Sequence, residues 1–176
     1  MNVLNVHERM LLTSADDAWR LIANLGSKHD LLWPARWPRM RFDRPLGLGA
    51  HGGHGPIGYY VEQYARGELI RCRFTRPAGF EGYHEFQIEP RLGSVIFRHS
   101  LRVRTRGLAT AYWLLVLRPL HDALVEDAMD RASSYSSCHT FTSPWPLRVR
   151  FLKWLMSTLS GRRRSAQAVA PMGNPR

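Results

Sequence analysis

The chain has 176 residues, enough for one domain with a substantial core and a short appendage. Its net charge of +11 is unevenly spread: all 14 acidic residues precede residue 131, and residues 131–176 carry eight basic groups and no acid. The basic excess therefore belongs to a tail, with no recognition helix or stacking motif beside it, which argues against nucleic acid as a partner.

Val3–Leu12 reads as a first strand with mixed alternation. Glu8 and Arg9 interrupt it, so no signal peptide is expected. Thr13 to Gly26 reads as a helix: Thr13 or Ser14 can cap it, Asp16 and Asp17 suit the positive end of its dipole, and Gly26 can end it. A short helical turn is predicted at Asp30–Trp33, stopped by Pro34, with Trp33 and Trp37 forming an aromatic lid or simply packing on a small core. A strand is predicted over Arg39–Pro45.

Gly47-Leu48-Gly49-Ala50-His51-Gly52 satisfies the dinucleotide pattern G-x-G-x-x-G. Phosphate binding needs a helix N-terminus straight after the glycines, yet Pro56 and a strand follow, so that reading fails. The glycines are read instead as a loop bending tightly over the sheet or approaching a ligand, with His51 and His54 as exposed polar groups or contacts at a pocket mouth.

Ile57–Ala65, Glu68–Arg76, Gly82–Glu89 and Ser94–Thr105 alternate at period two, and Gly67, Pro77, Gly79 and Gly93 punctuate them. From Leu108 to about Ser134 the period becomes helical, with Pro119 expected to kink the helix. Antiparallel strands ending in one long amphipathic helix predict an α+β fold, a curved sheet wrapped around the helix. Such a fold usually encloses a cavity. Cys72 and Cys138 show neither metal spacing nor a disulfide framework, and no stretch approaches a transmembrane helix, so a cytoplasmic location is expected.

After Pro144-Trp145-Pro146, residues Leu147–Ser160 predict a helix with a wide apolar arc, ended by Gly161-Arg162-Arg163-Arg164. Residues 147–164 suit an anionic membrane surface or a partner, or the same arc closes the protein's own core. Arg148 intrudes on the apolar side and favours the latter. The expected division is 1–135 as the ligand-binding domain, 136–164 as linker and amphipathic helix, and 165–176 as a disordered tail.

The element order resembles the START/polyketide-cyclase-like (SRPBCC) superfamily, whose helix-grip fold also builds lipid-transfer domains, aromatic cyclases and plant pathogenesis-related allergens. The likeness covers about residues 3–135. It rests also on Ser14-Ala15-Asp16-Asp17-Ala18-Trp19 and on Gly49–Ile57, which is similar to the allergens' glycine-rich loop. Gly52-Gly53-His54-Gly55-Pro56-Ile57 and Arg118-Pro119-Leu120-His121-Asp122 are associated with bacterial members. The resemblance implies a hydrophobic small-molecule ligand and carries over no catalytic residue.

Alternation places His84 with Phe86 and Ile88, and His99 with Val95, Phe97, Leu101 and Val103, on inward faces. In the long helix, Leu114, Leu117, His121, Leu124 and Ala128 form one stripe. Three histidines facing one interior are the candidate catalytic residues, as general bases or as hydrogen-bond donors to an enolate, unless each is simply a hydrogen-bonded interior group. His54, Tyr59, Phe74, Phe86, Phe97, Trp113 and Leu117 are the expected ligand contacts. The spacing of His84, His99 and His121 shows no convergence on a metal, so no metal or cofactor is expected. Asp122, Glu126, Asp127 and Asp130 are expected to face water or to pair with Arg98, Arg102 or Arg104. A serine hydrolase is disfavoured, because no serine sits in a G-x-S-x-G elbow. Two functions remain: binding a polyketide-like, aromatic or lipid molecule between sheet and helix, or a polyketide cyclase or dehydratase using the histidines as acid and base.

Overall fold

A computed structural model describes residues 1–137 and 142–168. Cys138 and the end of the expected disordered tail lie outside them. The chain divides into two compact units, Met1–Ser143 and Pro144–Arg176. The first is α+β, as the sequence predicts.

Its seven strands are β1 (Asn2–Leu11), β2 (Arg41–Phe42), β3 (His51–His54), β4 (Ile57–Ala65), β5 (Leu69–Arg76), β6 (Phe80–Arg91) and β7 (Ser94–Thr105). They form one antiparallel sheet in the order β1-β7-β6-β5-β4-β3-β2. Helix α1 (Ala15–Ala23) follows β1, and Ser14 caps it by accepting from the Asp17 amide at 3.1 Å. Such a cap contributes about 1 kcal/mol. Ala18, Trp19, Leu21 and Ile22 are its buried face.

The glycine-rich segment is not the predicted loop. His51-Gly52-Gly53-His54 is a strand between β2 and β4. A side chain on Gly53 would stand 2.1 Å from the Ile57 carbonyl oxygen, and one on Gly52 2.4 Å from that of Arg41. These glycines serve close strand approach, which a loop reading misses. The predicted strand at Arg39–Pro45 shrinks to Arg41–Phe42, because Asp43 turns the chain: its amide donates to the His51 carbonyl and its carboxylate accepts from the His51 amide.

The predicted helical turn at Asp30–Trp33 is also absent. The Asp30 carboxylate instead accepts from the amides of Gly26, Leu32 and Trp33, offering the backbone an alternative to helical bonds. Trp33 and Trp37 go separate ways. The indole N–H of Trp33 donates to the Pro38 carbonyl, and that of Trp37 donates to Asp127.

The long helix runs from Leu108 to Ser136 in three parts: α2 (Leu108–Tyr112), a π-helical turn (Trp113–Leu117) and α3 (Arg118–Ser136). Pro119 stands at the start of α3 without breaking the helix. It has no N–H to donate, and its ring would crowd the carbonyl four residues earlier; the wider turn just before it accommodates both. The π turn holds one residue more than an α-turn, so Trp113 takes the inward place expected of Leu114. Trp113 is 3% exposed and Leu114 40%.

In the second unit one helix, α4, spans Leu147–Ala168, passing the predicted stop at Gly161. A single glycine costs about 1 kcal/mol and does not by itself end a helix. Leu147, Phe151 and Trp154 are exposed, and Phe151 packs beside Trp154. Among the described residues no helix is long and apolar enough to cross a membrane.

Candidate functional site

Among the described residues, two apolar clusters fill much of the interior of the first unit. The larger gathers Leu11, Val61, Ile70, Phe86, Ile88, Val95, Phe97, Val125 and Met129 with the buried face of α1. The smaller holds Phe80, Leu101, Val103 and Trp113, with Val3, Ala109 and Leu117 against it. Strands β1, β6 and β7 and the long helix each contribute to both clusters, and each changes cluster at a histidine. These are His7 between Val3 and Leu11, His84 between Phe80 and Phe86, His99 between Phe97 and Leu101, and His121 between Leu117 and Val125. A polar layer thus crosses the core.

His84, His99 and His121 come together as their faces predict. His99 Nε2 lies 3.4 Å from His84 Nδ1, so one ring donates and the other accepts. The His99 and His121 rings are 5.2 Å apart. His7 extends the row, facing His99 across the β1–β7 register with its ring 6.0 Å from His121. Aromatic walls line the row: Tyr59 and Phe74 pack on His84, Phe86 on His99 and Trp113 on His121. Beyond Tyr59, His54 lies between it and Trp33. Phe97 packs on Phe86 within the larger cluster, and Leu117 against the smaller.

Several buried polar atoms of this layer have no hydrogen-bond partner: His7 Nε2, His84 Nε2, His99 Nδ1, both ring nitrogens of His121, the Tyr59 hydroxyl and Asn5 Oδ1. Interior polar groups are nearly always satisfied, so such a concentration singles out this layer as the candidate site. The three candidate histidines are therefore not saturated by backbone.

Burial sets the charge of the row. It pushes His84 down to about 3 and His54 to about 4, with repulsion from neighbouring histidines adding to both. Burial likewise holds His99 well below its ordinary value and lowers His121, where Asp122 partly opposes it. Burial raises Tyr59, and pushes the Cys72 thiol up to about 12. At neutral pH this end of the row is a set of neutral donors and acceptors among aromatic rings. At His7 burial works in the lowering direction, but the neighbouring carboxylates of Asp122 and Glu126 win and raise it.

The acidic residues of α3 do not pair with the β7 arginines; Asp122 and Glu126 stay partly open to water, while Asp127 and Asp130 are buried. Asp122 accepts from Asn5 at 2.9 Å, Glu126 meets His7 at 2.6 Å and Arg9 at 2.8 Å, and Asp127, buried, holds Arg36 and Trp37. Asp130 is buried with Arg9 beside it and accepts from the Ser143 amide. Arg98 is turned to the other face of the sheet, where it pairs with Glu8 and Glu89. Asn5, His7 and Arg9 are the members of the candidate site that sequence reasoning misses. The available signal was their shared parity on β1, opposite the exposed Leu4, Val6 and Met10.

A seven-stranded antiparallel sheet followed by a long 29-residue helix (Leu108–Ser136) matches solved structures over most of the chain. Norcoclaurine synthase from Thalictrum flavum, in complex with dopamine and hydroxybenzaldehyde, is 17% identical with a TM-score of 0.58, over 81% of this chain and 90% of that one. This protein has the helix-grip fold. CalU16 from Micromonospora echinospora is similar over 97% of this chain and 98% of its own, at 11% identity and a TM-score of 0.56. A protein from Nitrosospira multiformis is 10% identical with a TM-score of 0.60, over 77% of this helix-grip chain and 97% of its own. No family model and no curated protein matches the sequence.

Proposed function

We propose that this helix-grip protein binds a hydrophobic or aromatic small molecule, polyketide-like or lipid, in a cavity between the sheet and the long helix. The observation that carries the reading is the layer of unpaired imidazole nitrogens set among Tyr59, Phe74, Phe86 and Trp113. Apolar walls with a few convergent polar groups are what a small-molecule site needs. The complex of norcoclaurine synthase with dopamine and hydroxybenzaldehyde supports an aromatic ligand by analogy of fold. Trp113 is the reporter. Titration with aromatic polyketide-like compounds and acyl lipids should change its emission, and mass spectrometry of the purified protein should find a co-purifying molecule. Failure of every ligand to bind, with nothing co-purifying, removes the reading.

The His84–His99 contact favours a second reading, a cyclase or dehydratase. A neutral imidazole takes the proton from the carbon beside a carbonyl, and the enolate attacks a second carbonyl carbon to form a carbon–carbon bond. A protonated imidazole returns the proton to the new alkoxide, and loss of water completes the step with no outside oxidant. His121 stands next in the row for the same work. His84→Phe and His99→Phe separate the readings: an enzyme loses turnover while a pure binder keeps most of its affinity.

For α4, exposed Phe151 and Trp154 support contact with an anionic membrane surface, helped by the basic Arg162-Arg163-Arg164 that follow in the sequence. Co-sedimentation of the full chain with anionic vesicles should fall on replacing both aromatics by serine; equal binding would defeat this reading.

A further inference from the structure

Where β1 meets α3, His7, His121 and Asp122 each present one ligating atom, and these atoms all lie within 4.8 Å of one another. Asp122 Oδ1 is 3.5 Å from His7 Nε2 and 3.5 Å from His121 Nδ1. Two ligand atoms on one tetrahedral zinc stand about 3.3 Å apart, given metal–ligand bonds of about 2.0–2.1 Å. The side chains therefore lie within a small adjustment of coordinating a single ion.

Three further features point the same way. Glu126 Oε1 sits 2.6 Å from His7 Nδ1, which fixes the proton on that nitrogen and leaves Nε2 for a metal. A carboxylate behind a ligating histidine is the usual support of such a site. Asn5 donates to Asp122 Oδ1 at 2.9 Å and so orients the carboxylate. His7 Nε2 and both nitrogens of His121 are enclosed and lack hydrogen-bond partners. A protonated His7 bridging two carboxylates would account for His7 alone. It would leave His121 unexplained.

We infer that His7, His121 and Asp122 form a binding site for one divalent transition-metal ion, of the class bound by two imidazoles and a carboxylate, with zinc the first candidate. Asp122 is 36% exposed, which gives the ion a route in. Three protein ligands leave a fourth position for water or a ligand oxygen. The site does not rest on the small-molecule reading. If it is filled, His121 serves the metal and any proton-moving role falls to His84 and His99.

The test uses the full chain, stripped with a chelator and titrated with cobalt(II) and zinc(II). The expected result is one equivalent bound, tetrahedral cobalt bands in the visible spectrum, and a rise in thermal midpoint with zinc. His121→Ala and Asp122→Asn should weaken binding about 100-fold or more, and Glu126→Gln about 10-fold. His51→Ala, at an exposed histidine, should change nothing. Should His121→Ala fail to fold, Asp122→Asn at its half-exposed position decides. No cobalt bands and no zinc-induced shift in the wild type overturn the inference, as does binding that survives Asp122→Asn.

Discussion

His84 on β6 and His7 on β1 flank the same strand, β7, and both face the long helix, yet their surroundings push them in opposite directions. His84 has Tyr59, Phe74 and His99 around it and no carboxylate within reach, so burial empties it of charge. His7 has Glu126 at 2.6 Å and Asp122 at 3.5 Å, and their pull exceeds the cost of burial. A histidine in a core is thus not one kind of group. Its character follows from its neighbours: around His84 stand rings carried by the sheet, and beside His7 the carboxylates of the helix.

The largest consequence is in acid. An imidazole of the neutral end binds its proton at the ordinary 6.5 when unfolded, and at about 3 (His84) or about 4 (His54) when folded. Below about pH 6.5 the unfolded chain therefore holds more protons, and stability falls as pH drops toward the folded values. At pH 5 the loss is about 2 kcal/mol for each such histidine. His7 has the opposite sign: its raised value stabilises below 6.5, and that support is lost as pH rises through the folded value, so it offsets only part. Urea unfolding at pH 7 and pH 5 measures the sum, and a flat profile would break the comparison.

Replacing one member sharpens it. His84→Phe should reduce the acid sensitivity by about 2 kcal/mol at pH 5, while costing under about 1.5 kcal/mol at pH 7 because the site stays filled. A smaller shift is expected at the other end. In metal-free buffer, Asp122→Asn or Glu126→Gln should lower the His7 midpoint, read by NMR of the ring protons, while His84 stays neutral down to pH 5. A His7 midpoint that ignores both carboxylates would contradict the contrast. The least effect belongs to the far face of the sheet, where Arg98 pairs with Glu8 and Glu89. Arg98→Ala should cost less than about 1 kcal/mol in urea unfolding and leave both titrations unchanged.

The strand faces were legible because alternation is local: Val95, Phe97, His99, Leu101 and Val103 point inward whatever else the chain does. So was the fold, whose strands and final helix follow one another in chain order. The carboxylate partners were not legible. Asp122 and Glu126 are separated from Asn5, His7 and Arg9 by more than a hundred residues, and only the helix docking on β1 joins them. Polar residues at alternate positions of β1, with apolar ones between, also invert the usual pattern, since the apolar set faces out. Leu114 was misplaced for a different reason: a 3.6-residue period cannot anticipate a turn with an extra residue.

That extra residue has a bearing on how the chain tolerates change. The π turn at Trp113–Leu117 amounts to a one-residue insertion absorbed without unwinding the helix on either side. Removing Leu115, itself exposed, would restore ordinary helical spacing and keep Trp113 over His121, because the upstream turn already sits in the phase of a helix one residue shorter. The indole emission should then be unchanged, and the penalty would fall on Pro119, returned to its conflict with the preceding turn. The spare residue lets a proline and an inward tryptophan occupy one helix.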